Sequence, residues 1–271
     1  MSNKVLTCQS LTWQVDEQSI LKQVSFAIER GESISIVGPN GAGKTSLLKC
    51  LAGLIDADSG DIYVHNKNLK QLSRRDIAQH ITVVNQHHSN PFQLRCREVV
   101  HMGLIPHKSW FETDSDADHH KISMALEKVD LLDKQEQHFN TLSGGEQQRV
   151  MIARAIVQDP KILLMDEPTN HLDIYYQQQI LSLASSLDLT LVMSLHDLNL
   201  ASYYSDRILM LNHGEVVAFG KPEEVLKETT LQQVFNVPCQ VHRYVDDKQN
   251  SQVQVQFLPG MVNPRGATDA S

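Results

Sequence analysis

The sequence predicts an α/β fold with a mixed β core, an antiparallel β subdomain near the N-terminus and a helical subdomain in the middle. Three observations carry this. The strand-like run Ser33–Val37 ends on a glycine-rich loop, and helical spacing follows from Lys44 to Leu51. An apolar run, Ile162–Met165, ends on Asp166-Glu167, after which helix and strand patterns alternate again. Between them, from about residue 88 to 158, the pattern changes to helices. Apolar strands that feed helices through short loops are the pattern of parallel strands with crossover connections.

Taken in order, residues 4–30 read as two strands: Val5-Leu6-Thr7 leads in, Asp16-Glu17-Gln18 turns, and Leu21–Ile28 alternates. Gly53 follows the first helix as a C-terminal stop. Gly60–Val64 and Ile81–Val84 are further short strands, Glu98–Leu104 is a short amphipathic helix, and Lys121–Val129 is a longer one. Asp114-Ser115-Asp116-Ala117-Asp118 opens like a calcium loop. His119 stands where such a loop needs glycine and Ala125 where it needs glutamate, so a helix N-terminus is expected instead. A helix from about Ile174, a strand at Thr190–Ser194 and a helix after His196 follow. Ile208–Leu211 and Val216–Phe219 flank Asn212-His213-Gly214-Glu215, a hairpin signal. The expected organisation is a main domain over 1–238, a small C-terminal β-hairpin over 239–258 and a disordered tail over 259–271.

A length of 271 residues suits one large domain or a domain with a subdomain, and 41% hydrophobic residues can fill its core. No apolar run approaches the about 18 residues that span a bilayer, and the N-terminus has no signal-peptide core. The chain is therefore expected to stay where it is made. Cys8, Cys50, Cys96 and Cys239 are scattered and form no paired motif, which points to isolated thiols in a reducing compartment. A net charge of −8 disfavours a nucleic-acid groove, because phosphate backbones reward clustered Lys and Arg. His87-His88 and His119-His120 lie in polar stretches without metal-ligand spacing.

The chemistry concentrates in a few motifs. Gly38-Pro39-Asn40-Gly41-Ala42-Gly43-Lys44-Thr45-Ser46 follows a strand and opens a helix, the context of a P-loop. Its backbone N–H groups can converge on phosphate oxygens, Lys44 can reach the β- and γ-phosphates, and the Thr45 hydroxyl can ligate Mg²⁺. Asp166 and Glu167 end a buried strand at the sheet edge, where Asp166 would hold Mg²⁺ and Glu167 would act as general base. Ser143-Gly144-Gly145-Glu146 has capping-box spacing, yet two glycines in a first turn cost roughly 1 kcal/mol each relative to alanine. Approach of a phosphate to the exposed N–H groups would explain them. These are two phosphate grips in one chain, and a single nucleotide needs one.

From about residue 5 to 238 the chain resembles the ATP-binding cassette (ABC) ATPases, a branch of the P-loop NTPases. The P-loop, Gln86, the signature Leu142-Ser143-Gly144-Gly145-Glu146-Gln147, Asp166-Glu167, Asn170-His171-Leu172-Asp173 and His196 match in order. The resemblance implies a head-to-tail homodimer in which each ATP lies between one chain's P-loop and the other's signature. It implies that Gln86 senses Mg²⁺ and the attacking water, that His196 contacts the γ-phosphate, and that Asp173 couples the two sites. Where many members stack an aromatic on adenine, this chain has Val15; Trp13, two residues earlier, either substitutes or packs the sheet.

The segment Val100-His101-Met102-Gly103-Leu104-Ile105-Pro106-His107 is similar to the Gly-x-x-Pro-His stretch of importers for iron-siderophores, haem and cobalamin. His196-Asp197-Leu198-Asn199-Leu200-Ala201 and Gly220–Val225 are similar to the same group, although an arginine common after the glycine is Leu104 here. The resemblance therefore implies an ATP-hydrolysing subunit at the cytoplasmic face of the inner membrane. It would serve two copies of a polytopic permease and, indirectly, a substrate-binding protein. A ferric siderophore is the expected cargo, with haem and then cobalamin behind it. The surface from Gln86 to Phe111, with Trp110 and Phe111 as anchors or as core, is the expected permease contact. The alternative from another class is a soluble ABC ATPase of iron–sulfur cluster assembly.

Overall fold

The computed structural model describes residues 3–85, 93–109, 112–245 and 251–259. The expectations for Gln86, His87, His88, Trp110, Phe111 and the tail beyond Pro259 lie outside these residues.

The chain begins with β1 (Lys4–Val15) and β2 (Gln18–Glu29), then β3 (Ser33–Val37) and α1 (Lys44–Leu51). β4 (Ser59–Val64), β5 (Lys67–Asn68), α2 (Arg74–His80) and β6 (Ile81–Asn85) follow. The helical part holds α3 (Cys96–His101), a 3₁₀ turn at Met102–His107, α4 (Asp116–Lys128) and α5 (Gly144–Gln158). Next come β7 (Ile162–Asp166), α6 (Ile174–Ser185), β8 (Thr190–Ser194), α7 (Leu198–Tyr204), β9 (Arg207–Asn212) and β10 (Glu215–Gly220). The chain closes with α8 (Pro222–Val225), α9 (Glu228–Phe235), β11 (Cys239–Val245) and β12 (Ser251–Phe257).

The central sheet runs β10-β9-β3-β8-β7-β6, parallel except for its antiparallel β10 edge. An antiparallel sheet, β2-β1-β4-β5, packs on one side. Successive residues of the central strands feed two separate cores. Ile34, Ile36, Ile162, Leu164 and Val192 join α1 and the antiparallel sheet, whereas Val37, Leu163, Met165, Leu191 and Met193 join the helical side. Side chains alternate across a strand, so a strand covered on both faces is mostly apolar on both. That is why Ile162–Met165 of β7 reads as an unbroken apolar run, while β3 buries Ser35 with its hydroxyl bonded to that of Ser205.

The helices start where local chemistry allows. Ser73, Ser115 and Ser143 each accept a backbone N–H three residues on, from Asp76, Asp118 and Glu146, whose carboxylates accept the cap residue's own N–H. Ser115 thus caps α4, with Asp118 reaching back to its N–H, as expected for a helix start at the calcium-like segment. α1 closes on Ala52, with Gly53 just beyond it in the left-handed region at φ 65°. Gly103 in the Gly-x-x-Pro-His stretch permits a close approach, since a Cβ there would lie 2.3 Å from the Arg154 carbonyl oxygen of α5. His107 Nε2 meets the Gln158 carbonyl at 2.8 Å, and the Pro106 carbonyl accepts bonds from Arg75 Nε and Gln79 Nε2, each at 2.9 Å. Leu104 is 3% exposed and belongs to the core.

Candidate functional site

Three central strands deliver the site. β3 ends on the glycine-rich loop, and α1 begins at Lys44 directly after Gly43. Gly38 has φ 149°, and a Cβ there would lie 2.1 Å from the Leu211 carbonyl oxygen of β9, so no other residue fits. Lys44 is 5% exposed, and its ammonium donates to the Gly38 carbonyl at 2.9 Å and to the Pro39 carbonyl at 3.1 Å. Burial lowers its pKa, and the nearby carboxylates of Glu167 and Asp166 partly restore it.

β7 and β8 pair in parallel with Asp166 opposite Ser194. The Ser194 hydroxyl donates to Asp166 Oδ1 at 2.7 Å and accepts the Glu167 N–H at 2.9 Å. From α1, the Thr45 hydroxyl donates to the same Asp166 oxygen at 3.1 Å. These oxygens suit a hard divalent cation such as Mg²⁺. No local pattern marks Ser194, because only strand pairing brings it to Asp166, 28 residues away.

Glu167 sits at φ 48°, a left-handed conformation uncommon for a residue with a side chain. His196 Nε2 lies 2.6 Å from its Oε1, and Asn170 Nδ2 donates to its Oε2 at 3.0 Å. Burial pushes the Glu167 carboxyl up, but the hydrogen bond and charge of His196, the Asn170 amide and Lys44 outweigh it. The pKa stays below the ordinary value. Asn170 is therefore an orienter of Glu167, a role its place in the Asn-His-Leu-Asp motif did not reveal.

Asn40 to Ser46, Glu167, Asn170 and His196 line one cleft of about 710 Å³, joined by Ile20 from β2; Asp166 adjoins it through its bond from Thr45. Trp13 packs against the core of the antiparallel sheet, and a register shift between Trp13 and Gln14 breaks the alternation that would align it with Val15. Val15 is 42% exposed.

The second grip is built elsewhere. None of Ser143, Gly144, Gly145 and Glu146 lines the P-loop cleft. Glu146 bonds both the N–H and the hydroxyl of Ser143 and pairs with Lys134. The Lys134 ammonium, with help from Ser143, draws its carboxyl down to about 2. A Cβ on Gly145 would lie 3.0 Å from the Tyr176 ring, so packing against α6 accounts for that glycine. Gly144 has no such neighbour: its Cβ would meet Leu172 at an ordinary 3.7 Å. Asp173 caps α6 by accepting the Tyr176 N–H at 3.0 Å, and the next two residues, Ile174 and Tyr175, are 77% and 65% exposed.

The chain is similar to known proteins over most of its length. A family model described as ABC transporter matches residues 21–170. The petrobactin import ATP-binding protein FpuD of Bacillus anthracis is 35% identical over 242 residues, covering 88% of this chain and 89% of that protein. The hemin import ATP-binding protein HmuV of Escherichia coli O157:H7 is 36% identical over 247 residues, covering 88% and 94%. A solved metal-chelate type ABC transporter in an inward-facing conformation contains a similar chain. The TM-score is 0.83 at 28% identity, over 95% of this chain and 98% of that one.

Proposed function

Since the chain belongs to the ABC transporter ATP-binding family, we propose that it powers uptake of an iron complex, a ferric siderophore, through a separate membrane permease. The observation that carries the ATPase part is the joint placement of Lys44, Thr45, Glu167, Asn170 and His196 around one P-loop cleft, with Asp166 bonded to Thr45 beside it. The cargo is supported by the petrobactin and hemin import relatives.

Phosphate oxygens of ATP are received by the loop amides of Gly38–Ser46 and by Lys44. Glu167, held ionised by His196 and Asn170, takes a proton from a water that attacks the γ-phosphorus. The bond from that phosphorus to the β–γ bridging oxygen breaks, and ADP and phosphate leave. His196 orients Glu167 and contacts the γ-phosphate. Mg²⁺ would be held by Thr45, Asp166 and Gln86, and when bound it neutralises charge on the β- and γ-phosphates.

Because the signature Ser143–Glu146 stands apart from its own chain's cleft, a second copy supplies it in a head-to-tail homodimer. Asp173 and the exposed Ile174 and Tyr175 lie at that contact. The dimer sits peripherally at the cytoplasmic face, bound to two permease copies and served by a substrate-binding protein. No helix among the described residues is long and apolar enough to cross a membrane. The test is reconstitution with the neighbouring permease and binding protein in vesicles. ATP hydrolysis should rise with the binding protein loaded with ferric siderophore; stimulation by haem alone would move the assignment to haem, and stimulation by cobalamin alone to cobalamin.

A further inference from the structure

The C-terminal hairpin is joined to the helix that follows His196 by an unusual clamp. Asn199 Oδ1 accepts the Val255 N–H at 2.7 Å, and Asn199 Nδ2 donates to the Val255 carbonyl at 3.2 Å. One amide side chain thus satisfies both backbone groups of one β12 residue, as a neighbouring strand would. One helical turn on, Ser202 Oγ accepts the Val253 N–H at 3.3 Å. Asn199 and Ser202 share a face of α7, while Val253 and Val255 share an edge of β12.

Both partners of the clamp are anchored. Val253 and Val255 are 3% and 6% exposed and belong to the helical-side core, as do Leu198 at 4% and Ala201 at 0% on α7. Asn199 also lies in the turn that fixes His196. Asp197, the residue after His196, caps α7 by accepting the N–H groups of Asn199 at 2.7 Å and Leu200 at 3.1 Å. The hairpin therefore grips the first turn of α7, and that turn begins beside the imidazole that meets Glu167.

We infer that β11–β12 is a latch that holds His196 in register with Glu167, and that Asn199 is its positioning residue. Asn199 touches no reacting atom. It holds the α7 turn against β12, so loosening the clamp shifts the imidazole by a fraction of an ångström while leaving the P-loop intact. This explains what the asparagine of His196-Asp197-Leu198-Asn199 does, which nucleotide chemistry alone leaves without a task.

The inference rests on the proposed role of His196, so His196→Ala is measured first on the full-length chain, by single-turnover release of labelled phosphate. Wild-type rates in that variant overturn the site reading itself. If His196→Ala is impaired, Asn199→Ala should lower kcat roughly tenfold with KM for ATP within about twofold, because a small misplacement of a catalytic group lowers rate more than binding. Asn199→Asp keeps the acceptor for the Val255 N–H, loses the donor, and should fall between the two. In the His196→Ala background, Asn199→Ala should add no further loss. An unchanged kcat in Asn199→Ala, a loss that only tracks the unfolded fraction, or an equal further loss without His196 would overturn the latch.

Discussion

His196 and Glu167 meet at 2.6 Å between Nε2 and Oε1 across two separate strand ends, so the imidazole and the carboxylate are positioned as one unit. The other carboxylate oxygen is held by Asn170 at 3.0 Å. Glu167 thereby keeps a pKa below its ordinary value despite burial, and it is ionised at neutral pH.

Glu167→Gln keeps the shape and both contacts in reach but removes the carboxylate proposed as the base. ATP binding by calorimetry should be retained, while turnover falls roughly a hundredfold to ten-thousandfold, the usual range for losing a general base. Hydrolysis at the wild-type rate would remove Glu167 from that role.

Lys44→Ala removes the buried ammonium that lies over the phosphate loop. A hydrogen bond to a charged group contributes about 1.5–3 kcal/mol, so ATP affinity should fall roughly tenfold to a hundredfold by calorimetry. Unchanged affinity would contradict its assignment to the phosphates.

Gly103→Ala forces a methyl to within 2.3 Å of the Arg154 carbonyl oxygen, which is backbone and cannot swing away. Overpacking of this kind costs about 2 kcal/mol, and the loss should appear as a lower midpoint in urea unfolding. An unshifted midpoint would mean that the 3₁₀ turn and α5 part freely.

Glu146→Gln tests the signature cap through pH. The Glu146 carboxyl titrates near 2 in the folded chain against an ordinary 4.5, mainly through Lys134. A depressed carboxylate stabilises the fold above its unfolded pKa and loses that contribution as pH falls through the folded value. The stability gap between wild type and Glu146→Gln should therefore be full above pH 4.5 and shrink towards pH 2. A gap that does not change over that window would show that the pairing with Lys134 contributes nothing.

Most strands and the long helices were readable because both faces of the central sheet are buried and the helix starts carry caps. α2 is not legible in the sequence although Ser73 and Asp76 form a capping box, because a seven-residue helix with Ile77 as its buried residue shows no periodicity. α8 and α9 are illegible for a similar reason: α8 spans four residues, and α9 has Leu231 and Val234 as its buried positions. Among site residues, Ser194 and the orienting role of Asn170 were invisible, since each acts on a carboxylate that folding brings to it.

The P-loop, the capped signature and the acidic strand end follow from local backbone rules: glycines that admit phosphate, a serine that caps, a run of apolar residues that ends on acids. Such features depend on neighbours a few residues apart and can be seen in the chain as written. The parallel register of Asp166 with Ser194, the packing of Gly145 on Tyr176 and the grip of Asn199 on Val255 were decided by tertiary structure. Each joins groups about 28 to 56 residues apart, and their meeting depends on which faces the two cores bury rather than on any local preference.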